Sequence, residues 1–322
     1  MAAVVFVTRP LPAPGVEAFE DAGVEVRHNP EDRPLTRAEL LEGVVGADAL
    51  VSMLSDRVDA ELLDAAPSLK VVANYAVGFD NVDVAEARRR GVEVTTTPDV
   101  LSEATADLAW ALLLAATRRV GEAERFVRAG LWEGPGPRQL LGQAVGGRTL
   151  GIVGMGAIGQ AVARRARGFS MPVVYFNRRR VPETLEQELG ARYVSLDELL
   201  ATADVVSLHA PLNDDSRHLI DAAALERMKP TAVLVNTARG ALVDEAALVD
   251  ALREGRIAAA GLDVYEREPL LSEGLAELEN VVLTPHIGSA TIDTRAAMVR
   301  LCLDNVVAVL AGRPALTPAP PR

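Results

Sequence analysis

Three short segments concentrate side chains able to move protons and hold anions. His286, one of four histidines in the chain, stands in "TPHIGSAT" directly after an apolar run. Open α/β sheets place their ligand crevice at the carboxyl ends of strands, and imidazole is the side chain most readily poised to exchange a proton near neutral pH. The position favours a working histidine, with a structural, hydrogen-bonded one as the alternative. Arg239 in "NTARG" also follows a buried-looking run, where its planar fork could anchor a carboxylate or close a crevice salt bridge. Glu268 in "YEREP" either pairs with His286 or is one acid among several on a surface loop.

A fourth segment carries different chemistry. In "TLGIVGMGAIGQAVARRA", Gly154, Gly156 and Gly159 follow an apolar strand and open a helix, with another strand beyond. Glycine permits the tight turn and the close approach of a pyrophosphate, whose charge then faces the helix N-terminus. The pattern predicts a dinucleotide site over Gly154, Met155, Gly156, Ala157, Ile158 and Gly159. The next strand, "VVYFN", ends where an NAD-preferring site usually places an acid for the ribose 2′-hydroxyl. Here Asn177 is followed by Arg178, Arg179 and Arg180. A carboxylate would repel a 2′-phosphate and guanidinium groups would bind it, so NADP(H) is expected over NAD(H). A solvated basic turn on an NAD site is the other reading.

These loops need strands to carry them. Short apolar runs alternate with amphipathic segments along the chain, as parallel strands joined by crossovers require, so the class is α/β. In the first third, "VVFVTR", "ALVSML", "LKVVANYA" and "VEVTTTP" read as strands of one small doubly wound domain. From Leu101 to Gly130 the pattern is one long helical run, and "LWEGPGPRQLLGQAVGG" after it is an irregular Gly/Pro-rich loop. Six more strands follow: "TLGIVG", "PVVYFN", "DVVSLH", "AVLVNT", "IAAAGLDV" and "VVLTP". A last amphipathic helix from about Thr291 to Leu310 is expected to return to the first domain, ahead of a Pro-rich tail.

Composition excludes several classes. The 322 residues fit two domains, and the formal charge of −12, from 33 basic and 45 acidic residues, has the wrong sign for a nucleic-acid binder. No run approaches the roughly 18 apolar residues of a membrane span. The start of the chain passes straight into a buried-looking strand with no cleavable apolar leader, so a cytoplasmic protein is expected. The single cysteine, Cys302, allows no intramolecular disulfide or thiolate cluster, and the scattered histidines imply no metal site.

"GIVGMGAIG", "NTARGALVDEAALVDAL", "GLDVYEREP" and "TPHIGSAT", in that order, resemble the D-2-hydroxyacid dehydrogenase family. "ANYAVGFDNVDV" and "LSEATADLAWALLLAATRR" extend the likeness over nearly the whole chain. The resemblance implies two doubly wound parallel-sheet domains, with a Rossmann cofactor domain (101–287) inserted into a discontinuous flavodoxin-like substrate domain (1–100 and 288–322). It implies a dimerisation arm over about 101–142, hence a homodimer. It assigns catalysis to Arg239, Glu268 and His286, and substrate contacts to Leu54, Val77, Gly78, Arg239 and His286. Beyond the glycine-rich turn, it carries cofactor contacts onto Thr105, Asn177, Arg178, Arg179, His209, Pro211, Thr237, Ala238, Asp263 and Gly288. Within the family the chain looks most like glyoxylate and hydroxypyruvate reductases acting on a small 2-keto acid. A D-lactate-like or phosphoglycerate dehydrogenase using NAD, and a dinucleotide-sensing corepressor-like protein, are the competing readings. One departure is the loop before the fingerprint, which holds Trp132 but no second tryptophan.

Overall fold

A computed structural model describes residues 2–320. The chain divides into two compact units, one running to Leu101 and resuming at Ser289, the other Ser102–Gly288.

The first unit holds five parallel strands, β1 (Val4–Val7), β2 (Glu25–His28), β3 (Ala49–Ser52), β4 (Val71–Asn74) and β5 (Glu93–Thr95), in the order β2-β1-β3-β4-β5. β3 and β4 are buried throughout, as strands covered on both faces must be. β2, "EVRH", is absent from the sequence reading, and its place explains why. It is an edge strand with no fully buried residue, so it lacks the apolar run that betrays its neighbours. The helix Ile292–Leu310 packs on β3, β4 and β5 within this unit. The Thr291 side chain caps it by accepting from the Thr294 N–H. Cys302 lies in its buried stripe, where desolvation pushes the thiol up to about 12.

The second unit holds β6 (Leu150–Val153), β7 (Val173–Phe176), β8 (Ala191–Tyr193), β9 (Val205–Leu208), β10 (Val233–Asn236), β11 (Ala259–Leu262) and β12 (Val281–Leu283). All pair in parallel, in the order β12-β11-β10-β9-β6-β7-β8, which reverses direction beside β6. Three-residue β8 is again an edge strand missing from the sequence reading. Register aligns the strand ends: Val153 lies beside Phe176 and Leu208, Asn236 beside Leu208 and Leu262, and Leu262 beside Leu283. The residues just past that row are Gly154, Asn177, His209, Thr237, Asp263 and Thr284, so one edge of the sheet gathers side chains far apart in sequence.

The long helical run is a correction. It forms two helices, Ser102–Thr117 and Val120–Arg128, separated by Arg119 at φ 55°. The first helix stops where the Thr117 carbonyl accepts from the Gln143 N–H and the Thr117 hydroxyl turns back onto the Leu113 carbonyl. The loop over 131–147 is irregular, and its residue 143 supplies that stop. Ser102–Thr117 buries Trp110, Leu112 and Leu113, each worth about 1.5–3 kcal/mol of transfer free energy. Gly261 in β11 lets it lie close, because a Cβ there would strike Leu112. Among the described residues no helix is long and apolar enough to cross a membrane.

Candidate active site

The turn after β6 is built by glycine geometry. Gly154 has φ +100°, and a Cβ there would sit 2.6 Å from the Ala210 nitrogen, so a side chain is excluded by both conformation and space. A Cβ on Gly159 would collide with the Gly154 carbonyl. Gly156 differs, since a Cβ there would meet nothing, and it precedes the helix Ala157–Ala166 with no side-chain cap. The opening amides of that helix, including those of Ala157 and Ile158, have no partner within the helix, so they and the helix dipole suit a pyrophosphate. Met155 plays another part: its side chain is buried and its N–H donates to Asn177 Oδ1 at 2.8 Å. Asn177 thereby ties the end of β7 to the glycine turn.

Beyond Asn177 the arginines part company. Arg180 is held by Glu186 through two bonds of 2.8 and 2.6 Å, and the Tyr175 hydroxyl also donates to that carboxylate at 2.5 Å. The Arg180 contact, then the Tyr175 one, bring Glu186 down to about 2. Arg178 and Arg179 are exposed, with Arg178 Nη1 3.6 Å from Asp215 Oδ2. On the other side of the glycine turn, His209 donates its backbone N–H to Val153 and meets Ser207 Oγ through Nε2 at 2.8 Å. Burial pushes this imidazole down to about 3, so it stands neutral. The Pro211 carbonyl accepts from Ser216 Oγ, closing the loop that follows.

After β10, a residue the sequence reading passed over does the positioning. Asn236 is fully buried, accepts from the Ala238 N–H at 3.0 Å and donates to the Arg239 carbonyl at 2.8 Å, clamping the turn Thr237–Ala238–Arg239. Arg239 Nη1 donates to the Ala238 carbonyl at 2.7 Å. Thr237 is buried in the same turn. Gly240 lies so near the backbone of Tyr265 and Glu266 that any Cβ would overlap it, which presses the arginine turn against the segment bearing Glu268.

Past β11 and β12 the acid and the histidine meet. His286 Nδ1 lies 2.8 Å from Glu268 Oε2, and Glu268 Oε1 accepts from the Tyr265 N–H at 3.1 Å. Burial raises the Glu268 pKa, but the contact with His286, its charge, the Tyr265 amide and the charge of Arg239 outweigh it, so the carboxyl titrates below its ordinary value. His286 has φ 55°, a left-handed conformation sparse for residues other than glycine. Asp263 holds it there: its carbonyl accepts from the His286 N–H, and its carboxylate accepts from Thr284 Oγ1, the Ile287 N–H and the Gly288 N–H at 2.6–2.8 Å. Burial nevertheless raises the Asp263 pKa. Gly288 thus spends its amide on Asp263, and Thr105, buried in the first turn of its helix, borders Gly288. Tyr265 braces the same turn, its hydroxyl donating to the Thr284 carbonyl at 2.9 Å.

Leu54, Val77 and Gly78 belong to the first unit, in the turns after β3 and β4. Asn74 donates to the Gly78 carbonyl at 2.8 Å, while Asn81 donates to the Met53 and Asp56 carbonyls, so the two turns are tied together. Asn74 and Asn236 share a sequence signal that went unused: an asparagine closing an apolar run, where a buried amide must spend its bonds on the next turn.

Residues 110–288 match the family model described as D-isomer specific 2-hydroxyacid dehydrogenase, NAD binding domain. A glyoxylate reductase of Thermococcus kodakarensis is 54% identical over 308 residues, 94% of this chain and 92% of the relative. Among solved structures, a protein from Thermus thermophilus is 49% identical with a TM-score of 0.92, over 98% of this chain and 100% of that one. An NADPH-dependent glyoxylate/hydroxypyruvate reductase from Sinorhizobium meliloti, in complex with NADP and malonate, is 35% identical with a TM-score of 0.85, over 99% and 97% of the two chains. With more than half of its length under the family model and such relatives along nearly all of it, the chain belongs to the D-isomer specific 2-hydroxyacid dehydrogenases and is an oxidoreductase of nicotinamide dinucleotides.

Proposed function

We propose that this enzyme reduces a small 2-keto acid, glyoxylate or hydroxypyruvate, to the D-2-hydroxy acid, with NADPH preferred to NADH. The observation that carries the reading is the pair formed by His286 Nδ1 and Glu268 Oε2 at 2.8 Å, on the sheet edge that also bears Arg239 and the glycine turn. The names of the Thermococcus and Sinorhizobium relatives support the substrate class.

When bound, the reduced nicotinamide supplies the hydride. His286, as imidazolium, gives the carbonyl oxygen its proton from Nε2 while Nδ1 faces Glu268. The carboxylate of Glu268 stabilises the charged ring and fixes its orientation. Arg239 holds the substrate carboxylate with its planar fork and polarises the neighbouring carbonyl. In oxidation the proton moves the other way and His286 takes it from the hydroxyl. Thr105, Asp263 and Gly288 line the nicotinamide end, with Thr237 and Ala238 beside it. Arg178 and Arg179 read the 2′-phosphate. The first unit takes the substrate-binding part through Leu54 and the amides of Val77 and Gly78.

The protein works as a homodimer in this reading. Val120, Val127, Leu131, Trp132 and Leu141 are each more than half exposed, and all fall within 101–142. So much apolar surface on one short stretch suits contact with a second copy.

The test is to follow NADPH and NADH oxidation separately with glyoxylate, hydroxypyruvate and pyruvate. Fast NADPH turnover with either of the first two supports the reading. A clear preference for NADH overturns the cofactor choice alone, and tight cofactor binding without turnover favours a sensor.

A further inference from the structure

We propose that Asp215 tunes the choice between the two dinucleotides by competing with a 2′-phosphate for Arg178. The inference rests on reading Asn177–Arg179 as the 2′ end of the cofactor site, and it makes that end less one-sidedly basic than its sequence.

Asp215 is presented from a turn that has little freedom. Asn213 Oδ1 accepts from the N–H groups of Asp215 and Ser216 at 3.1 and 3.2 Å. Ser216 Oγ accepts from the Asn213 N–H and donates to the Pro211 carbonyl, both at 2.8 Å. Two residues on, the His218 N–H donates to the Ala241 carbonyl and its ring meets Glu266 at 2.9 Å. The Asp215 backbone is therefore fixed while its carboxylate takes no part in the turn, and that carboxylate reaches Arg178 at 3.6 Å. Arg180 is held more closely, by Glu186 at 2.6 Å. Two of the three consecutive arginines thus already face an acid.

The consequences for the two cofactors differ. A 2′-phosphate brings nearly two negative charges, and to engage Arg178 it must displace or share Asp215. A ribose 2′-hydroxyl brings no charge and meets no such penalty, and a carboxylate can accept a hydrogen bond from it. Asp215 therefore weakens NADPH binding selectively and brings the two affinities together.

The experiment is Asp215→Asn in the full-length protein, titrated with NADPH and with NADH by nicotinamide fluorescence at low and physiological ionic strength. The variant should bind NADPH about three- to tenfold more tightly, as removal of one exposed charge beside a phosphate allows, and the gain should shrink with salt. NADH affinity should stay within about twofold. Unchanged NADPH affinity, an equal gain for both cofactors, or weaker NADPH binding overturns the proposal. Arg178→Ala separates the two levels of the argument. If it leaves NADPH affinity untouched, the 2′ assignment itself fails; if it weakens NADPH while Asp215→Asn changes nothing, only the competition fails.

Discussion

Gly240→Ala puts the geometry of the catalytic edge under direct test. Gly240 follows Arg239, and its φ lies outside the left-handed region, so its identity is a matter of space rather than backbone freedom. A Cβ there would fall within 3.0 Å of the Tyr265 carbonyl carbon and oxygen and of the Glu266 nitrogen. All three are backbone atoms, unable to swing aside as a side chain can. Restoring ordinary contact requires the two segments to part by roughly 1.5 Å. Overpacking of this kind costs about 3 kcal/mol, which lowers the melting temperature by roughly 5–10 °C. The same displacement separates Arg239 from the Glu268 segment, and a misplacement of about 1 Å can cost about a hundredfold in rate. We expect kcat/KM for 2-keto acid reduction to fall by about two orders of magnitude, with the dissociation constant for the dinucleotide nearly unchanged. Circular dichroism, steady-state kinetics and cofactor fluorescence measure the three quantities. A variant that loses stability yet keeps wild-type kcat/KM would refute the claim that this close approach sets the arginine against the acid.

Four further outcomes are expected. Glu268→Gln removes the anion that orients His286, so kcat for reduction should fall by roughly ten- to a hundredfold with dinucleotide affinity nearly unchanged, and wild-type turnover contradicts the pairing. Asp263→Asn puts an amide where three donors converge, at a cost of about 1–3 kcal/mol; faster amide exchange at Ile287 and Gly288, with loss of turnover, should follow, and unchanged exchange speaks against the clamp. Glu186 is depressed to about 2 from 4.5, so its stabilisation is complete above the unfolded value and disappears as pH falls through the folded one. The urea midpoint of Glu186→Gln should therefore lie below wild type at pH 7 and converge with it on acidification, whereas a gap independent of pH excludes the charge as its cause. Val127→Glu places a charge in the exposed apolar stretch and should give a monomeric mass by light scattering; a dimer of wild-type stability would locate the interface elsewhere.

The sequence by itself determined the class of fold and most of its strands. Parallel strands buried on both faces must be written as apolar runs, which made the eight interior strands legible, and the edge strands β5 and β12 were read as well because each still carries a buried valine. β2 and β8 were not, because an edge strand need not be apolar on both faces. The glycine turn could be read directly, since Gly154 and Gly159 obey constraints only a few residues long. Tertiary structure alone decided the rest. Whether Glu268 meets His286 depends on the register that brings the ends of β11 and β12 level. That Arg180 belongs to Glu186 while Arg178 faces Asp215 turns on where a helix and a distant loop come to lie, and three adjacent arginines look alike until then. The clamps made by Asn236 and Asp263 likewise join residues across turns and strands. Local pattern records what each short segment can do, but charge pairing and hydrogen-bond satisfaction are settled between segments, and only the folded chain brings those together.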